Sequence, residues 1–143
     1  MATLPQFSAK LSILSGRIRS MGRVPALVSS AAAKVIEEDM RQTYAAEQNP
    51  YGTAWAQRVR EPKDGHPILF DTGKLEGSRK VTVSKNVIFT KYTDYKSVFH
   101  QSGTKNMKQR LMLPTVARGL PARWKKAIAS MFKKSLNDIW QGK

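Results

Sequence analysis

The sequence predicts an α+β domain in which a small antiparallel sheet is flanked by N-terminal helices and by a long C-terminal amphipathic helix. Apolar residues recur every three or four positions before residue 48 and again after Pro121, which is helical spacing. Between residues 79 and 91 they alternate with polar residues, as in strands. Since helical and strand patterns occupy separate parts of the chain, the α+β class is favoured. A length of 143 residues predicts one domain over residues 1–143.

Two helices are predicted at the N-terminus. The apolar face of the first helix is formed by Phe7, Leu11, Leu14 and Ile18. Gly22 suits the end of this helix and Pro25 suits the first turn of the next. The second helix is predicted from about Pro25 to about Gln48. It stops at residues 49–52, Asn-Pro-Tyr-Gly, because a proline biases the residue before it away from helical conformation.

Residues 49–70 contain three prolines and two glycines, so we expect irregular chain there. Asp71 or Thr72 is then a suitable N-cap for a short helix. The alternation over residues 79–91, interrupted by Lys85 and Asn86, predicts a β-hairpin with its turn at those two residues.

The C-terminal half is predicted to alternate short elements and one long helix. A short helix is expected from Tyr92 to Gln101, ending at Gly103, and a further strand over residues 110–114, stopped by Pro114. The long helix begins near Pro121 and ends before Gly142. Its apolar stripe consists of Trp124, Ile128, Met131, Phe132, Leu136, Ile139 and Trp140.

The net charge of +15 is unevenly distributed along the chain. Residues 1–36 carry five basic groups and no acidic one, and residues 37–94 carry nine of each sign. Residues 95–143 carry eleven basic groups and one acidic group. Such asymmetry indicates a polyanionic neighbour, either nucleic acid or an acidic protein surface. The alternative is a solvated face that keeps the protein soluble.

Seven basic residues form the best candidate for a polyanion-facing site by their chemistry alone. They are Lys105, Lys108, Arg110, Arg118, Arg123, Lys125 and Lys126. Cations at this spacing suit phosphate contacts, but Trp124 is the one aromatic residue nearby, so base stacking is not supported. Any contact with nucleic acid is therefore expected to be non-specific and sensitive to salt.

Catalytic, cofactor and metal sites find little support in the sequence, and we expect none. The chain has no cysteine, two histidines and no glycine-rich phosphate loop. Residues 37–39, Glu-Glu-Asp, are expected to be solvated and paired with Arg41 and Lys34. We expect His100 to be hydrogen-bonded to a loop carbonyl rather than to serve a nucleophile. No apolar run reaches the length of a membrane span and no signal peptide is recognised, so a cytoplasmic site of assembly is expected.

Four short segments, in this order, resemble the virion-morphogenesis proteins of tailed phages, the Mu-type tail-completion family. Residues 49–55 look like the family's P-x-G-x-x-W element, and residues 69–75 are similar to its L-x-x-[ST]-G-x-L element. Residues 99–103 resemble its H-x-x-G segment, and residues 110–114 its arginine-led strand before the final helix. The resemblance covers about residues 26–140, which leaves residues 1–25 as an N-terminal helical extension.

The resemblance implies a non-enzymatic structural protein of the virion neck or tail end, assembled in the host cytoplasm. It implies a homo-oligomeric ring, six-fold in related proteins, that contacts the tail tube or the head-tail connector. Together with the charge asymmetry, it indicates that the basic C-terminal third faces acidic partners or makes non-specific contact with passing DNA. Candidate interface residues are Tyr51, Trp55, Phe99 and His100. Trp55 suits either an interface anchor or the chain's own core.

Two other classes of function remain open on the sequence. The first is a small, basic, non-specific nucleic-acid-binding module, which the charge favours but which lacks a helix-turn-helix pattern. The second is a hydrolase or toxin enzyme, which rests on His100 and scattered acidic residues.

Overall fold

The computed structural model describes residues 4–60 and 63–143, and the side chains of residues 4–7, including Phe7, lie outside that description. It has five helices and one two-stranded antiparallel sheet within the described ranges, so the predicted α+β class is confirmed. In chain order the elements are α1 (Leu4–Met21), α2 (Val24–Ala45), α3 (Lys74–Gly77), β1 (Arg79–Ser84), β2 (Val87–Tyr92), α4 (Lys96–Ser102) and α5 (Ala122–Gln141).

The helix α2 is the centre of the fold. Its buried apolar face follows a four-residue spacing through Val24, Val28, Ala32, Ile36, Met40 and Tyr44. This face packs against α5 and against the β1–β2 hairpin. Pro25 lies in the first turn of α2, where its missing N–H costs nothing, so the predicted start is confirmed.

The helix α1 is formed as predicted, but its apolar face is not covered. Leu11, Leu14 and Ile18 are between 41% and 60% exposed, and α1 contacts the rest of the chain mainly through α5. Arg17 of α1 lies over the ring of Trp140 with 5.4 Å between the guanidinium carbon and the ring centroid. One cation–π contact therefore helps to hold a helix that buries little apolar surface.

The hairpin has the predicted position and turn. Lys85 and Asn86 both have positive φ angles, 48° and 64°, as a type I′ turn requires. The strands pair from Arg79 opposite Tyr92 to Ser84 opposite Val87. Since side chains alternate across a strand, one face of the hairpin packs on α2 and the other faces outward.

The core consists of two adjoining clusters of buried side chains. One contains Tyr44, Trp55, Ile68, Leu75 and Met112, and the other contains Ile36, Met40 and Trp124. Trp55 meets Tyr44 edge to face, with ring centroids 5.2 Å apart. Only 4% of Trp55 is exposed, so this tryptophan belongs to the chain's own core rather than to an interface.

The irregular segment 49–70 is confirmed for the described residues; Glu61 and Pro62 lie outside them. Its first turn is closed by Asn49, whose side-chain oxygen accepts from the N–H groups of Tyr51 and Thr53 at 2.9 and 3.0 Å. A short bridge also pairs Gln48 with Ala54. The segment therefore ends α2 sharply and carries Trp55 back to the core.

The strand predicted over residues 110–114 is wrong. This segment is irregular because the side chain of Gln101, rather than a neighbouring strand, binds its main chain. The Gln101 Oε1 accepts from the N–H groups of Met112 and Leu113 at 2.8 and 3.0 Å, and its Nε2 donates to the Leu113 carbonyl at 2.9 Å. The indole N–H of Trp55 donates to the Leu111 carbonyl at 2.8 Å. These bonds replace a sheet ladder.

The N-cap predicted for α3 is also wrong, although the helix is present. Gly73, with φ of +73°, occupies the cap position, and no side chain caps the helix there. Glycine adopts this left-handed conformation without a steric penalty, so the chain turns into α3 by backbone geometry alone. Asp71 and Thr72 precede the cap and are exposed.

The acidic cluster of residues 37–39 divides between solvent and the core. Glu38 pairs with Arg41 through two hydrogen bonds, of 2.9 and 2.6 Å, as predicted. Asp39 instead faces α5, where it accepts from the indole N–H of Trp124 at 2.7 Å and pairs with Arg123 at 3.1 Å. The expectation that all three carboxylates are solvated is therefore wrong for Asp39, which joins α2 to α5.

The Gln101→Ala substitution tests the role of this side chain. It leaves two N–H groups and one carbonyl of residues 112 and 113 without their partners in a partly buried place. We expect the free energy of unfolding to fall by about 2–4 kcal/mol, measured by urea denaturation. Gln109→Ala is the matched control, since its side chain makes one exposed hydrogen bond to the Gln101 carbonyl, and it should cost about 0.5 kcal/mol. Equal costs would contradict the assignment.

Candidate functional site

A cavity of about 280 Å³ lies where three of the four family-like segments meet. Its walls come from the 66–75 segment, from the start of α4 and from Arg110. The residues with polar or charged side chains that line it are Arg58, His66, Asp71, Thr72, Lys74, Asp94, Lys96, His100 and Arg110. Polar groups from distant parts of the sequence therefore converge at this cavity.

Arg110 forms the floor of this cavity. Its side chain is 9% exposed, and its Nε donates to the Ala56 carbonyl at 2.9 Å, with a longer contact of 3.4 Å from Nη2 to the Gln57 carbonyl. Its backbone N–H donates to the His100 carbonyl at 2.8 Å. Burial, and secondarily the charge of Arg58, lowers the pKa of Arg110. Arg110 therefore joins the 49–58 segment to α4.

His100 lies on α4 beside Arg110. The prediction that its ring bonds to a loop carbonyl is wrong: its Nδ1 is buried and has no hydrogen-bond partner among residues 4–60 and 63–143. Burial lowers the pKa of His100, and the neighbouring charges of Arg110 and Lys96 lower it further, while Asp94 acts in the opposite direction. The ring is therefore favoured in its neutral form.

Arg58 and His66 close the cavity on the side of the irregular segment. The Arg58 guanidinium donates to the carbonyls of His66 and Pro67, at 2.7 Å for the former, and contacts the His66 Nδ1 at 2.9 Å. The His66 Nε2 lies 3.7 Å from the Asp64 carboxylate. These contacts join Arg58 to residues 66 and 67 at the wall of the cavity.

The seven predicted polyanion-facing residues differ in exposure and in their partners. Lys105, Lys108, Lys125 and Lys126 are exposed, but the three arginines are engaged within the chain. Arg110 is buried, so it is not a surface cation. Arg123 pairs with Asp39 and donates to the Pro50 carbonyl at 3.3 Å. Arg118 lies over the Tyr51 ring at 4.1 Å.

The other predicted interface residues differ in exposure. The Tyr51 hydroxyl donates to the Gly119 carbonyl at 2.7 Å and accepts from the Thr115 N–H at 3.0 Å, which ties the 49–55 segment to the turn before α5. Phe99 is 47% exposed and meets the exposed Tyr95 edge to face at 6.2 Å. Phe99 is thus exposed, whereas Tyr51 is held by its own chain.

The sequence did not predict an apolar groove that the structure contains. A groove of about 730 Å³ runs between α2, the hairpin turn, residues 114–120 and α5. No residue that lines it is charged, and Val116, Leu120 and Phe132 are exposed at its edge. The apolar stripe of α5 could have predicted this groove. One helix and one hairpin cannot cover all seven of its large apolar side chains.

No metal-binding cluster of three or more histidine, cysteine or acidic side chains occurs in the described part of the chain. Within the same residues no helix has the length and apolar character needed to cross a membrane. Comparison of the chain with protein-family models, with curated proteins and with solved structures finds no match in any of the three.

The buried neutral histidine predicts a pH-dependent stability. The pKa of His100 lies below its ordinary value of 6.5 in the folded chain, so the unfolded chain binds a proton first as the pH falls. The free energy of unfolding should therefore decrease as the pH falls from 6.5 through the folded-state pKa of His100. Urea denaturation of the His100→Gln variant should show a smaller decrease, whereas His66→Gln, which retains His100, should behave as the parent chain. Parallel profiles for all three would refute this role.

Proposed function

We propose that this chain is a non-enzymatic structural subunit of a tailed-phage or prophage virion, of the tail-completion or head-tail neck type, and that it assembles into a six-fold ring which joins or caps the tail. The observation that carries the proposal is the amount of apolar surface that one chain leaves uncovered. Exposed apolar surfaces rimmed by polar residues often mark contacts between proteins.

The uncovered surface has two parts. The first is the outer face of α1, where Leu11, Leu14 and Ile18 are exposed. The second is the uncharged groove between α2, the hairpin and α5, whose α2 wall begins at Pro25. A convex apolar helix and a concave apolar groove in one chain permit head-to-tail contacts between copies, and such contacts close into rings when the rotation allows.

The convergence of the family-like segments supports the same proposal. Trp55 of the first segment bonds to Leu111 of the fourth, and Arg110 bonds to Ala56 and to His100 of the third. The second segment, residues 69–75, forms the opposite wall of the shared cavity. The four resemblances therefore concern one structural unit rather than four unrelated short similarities.

The charge distribution supports acidic neighbours for the ring. The exposed lysines of α5, including Lys125 and Lys126, lie outside the apolar groove, and residues 8–21 of α1 carry three basic groups and no acidic one. The surface left around the apolar contacts is therefore basic. It suits an acidic tail-tube or connector surface, or DNA that passes through the ring.

Native mass spectrometry and negative-stain imaging of the purified chain over a salt series test this proposal. We expect discrete rings that persist at high salt, since apolar contacts are not screened. Ile18→Glu, at an exposed position of α1, should weaken association by about tenfold per contact, because it places a charge in an apolar interface. Ser12→Glu is the control, since Ser12 lies on α1 outside the apolar face and adds the same charge. A chain that stays monomeric at high concentration would overturn the ring.

A non-specific nucleic-acid-binding module is the second candidate function, and the exposed lysines of α5 favour it. Fluorescence anisotropy with duplex DNA should show binding that weakens by orders of magnitude between about 50 and 200 mM salt and that does not depend on sequence. The double substitution Lys125→Gln and Lys126→Gln should reduce both the affinity and the salt dependence. Sequence-independent, salt-sensitive binding by a chain that forms no rings would favour this function over the ring.

A further inference from the structure

We propose that the cavity beneath α4 binds a small oxyanion, a carboxylate or a phosphate, through His100 and the cations around it. This site differs from the apolar groove on which the ring depends, because the two share no lining residue and its walls are charged. The inference does not require assembly, and it can be tested on a monomer or on a ring.

The charge of the cavity walls is the first support. The lining contains four permanently charged cations, Arg58, Lys74, Lys96 and Arg110, against the two carboxylates of Asp71 and Asp94. The Asp94 carboxylate accepts from the Lys96 N–H at 2.9 Å, so it is already engaged at the start of α4. Even without Arg58, the cations Lys74, Lys96 and Arg110 outnumber the two carboxylates among the described residues that line the cavity.

The state of Arg110 is the second support. A buried guanidinium is usually paired with a carboxylate, because removing a charge from water is costly unless an opposite charge compensates it. Among the described residues Arg110 has carbonyl partners but no carboxylate within ion-pair distance. An oxyanion in the cavity would supply the opposite charge.

The state of His100 is the third and independent support. Its buried Nδ1 has no partner among the described residues, although buried ring nitrogens normally have one. A neutral imidazole with its proton on Nδ1 donates one hydrogen bond, and a protonated one adds a charge to that bond. In either state an oxyanion oxygen is a suitable acceptor, whereas a cation would be repelled by Arg110 and Lys96.

The walls also suit a small ligand rather than a chain. The cavity of about 280 Å³ is partly enclosed, with Thr72 and the two exposed lysines, Lys74 and Lys96, at its rim. The flexible lysines at the rim would attract an anion, and the fixed Arg110 at the floor would set how deeply that anion binds. One carboxylate group or one phosphate group meets these conditions.

Nuclear magnetic resonance of the histidine rings gives a direct test, because the chain has two histidines. The ¹⁵N-labelled chain is titrated with inorganic phosphate at constant ionic strength, chloride serves as the reference, and His66→Gln assigns the signals. We expect saturable shifts of the His100 ring nitrogens. The pKa of His100 should rise by about one unit, because a nearby anion stabilises the protonated ring.

Two substitutions of exposed lysines separate binding from general charge. Lys96→Gln, at the cavity rim, should weaken phosphate binding by about tenfold, while Lys80→Gln, on the outer face of β1, should leave it unchanged. Both changes remove one charge from an exposed side chain, so neither should disturb folding. Equal weakening by both, or shifts that chloride reproduces, would overturn the site.

A parallel titration with glutarate identifies the source of the oxyanion. Saturation at lower glutarate than phosphate concentration assigns the cavity to a carboxylate, as an acidic side chain of another protein would present. Saturation at lower phosphate concentration assigns it to a phosphate group. Failure of both ligands to move the His100 signals would overturn the proposal, and it would leave ring formation untouched because that is measured separately.

Discussion

The side chain of Gln101 is the interaction on which the rest of the structure depends. It extends from α4 and binds the main chain of residues 112 and 113 on both its donor and its acceptor sides. An irregular segment can pass through a core only if its main-chain polar groups have hydrogen-bond partners. Here the side-chain amide of Gln101 supplies those partners in place of a neighbouring strand. Met112 is thereby held in the first core cluster, against Trp55.

The same irregular segment explains why the core and the polar cavity share a boundary. Arg110 and Met112 are both buried, and the carbonyl of Leu111 between them accepts from the indole N–H of Trp55. The arginine must then lie in the interior beside apolar groups. Carbonyls of residues 56 and 57 solvate it in part, and this arrangement joins the turn after α2 to α4.

Local patterns in the sequence predicted much of the fold but little of the site. The helices and the hairpin, with its turn at Lys85 and Asn86, could be predicted because their patterns involve residues that are close in the sequence. A strand was predicted at residues 110–114 because most of these residues are apolar and are compatible with a strand. Such residues do not indicate whether their main chain will bond to another strand or to a glutamine side chain. The partners of Arg110 and of Asp39 lie far away in the sequence, so composition could not distinguish surface cations from buried ones.

The loop between α4 and residue 110 is a place where this fold tolerates inserted residues. A side chain on Gly103, whose φ is +74°, would meet the Gln109 backbone nitrogen at 3.1 Å, so the two ends of the loop are pressed together. The hydrogen bond from the Arg110 N–H to the His100 carbonyl also holds the end of this loop against α4. Because residues 104–108 between these points reach outward and are largely exposed, added residues or an inserted tag there would lengthen the loop without moving its anchors.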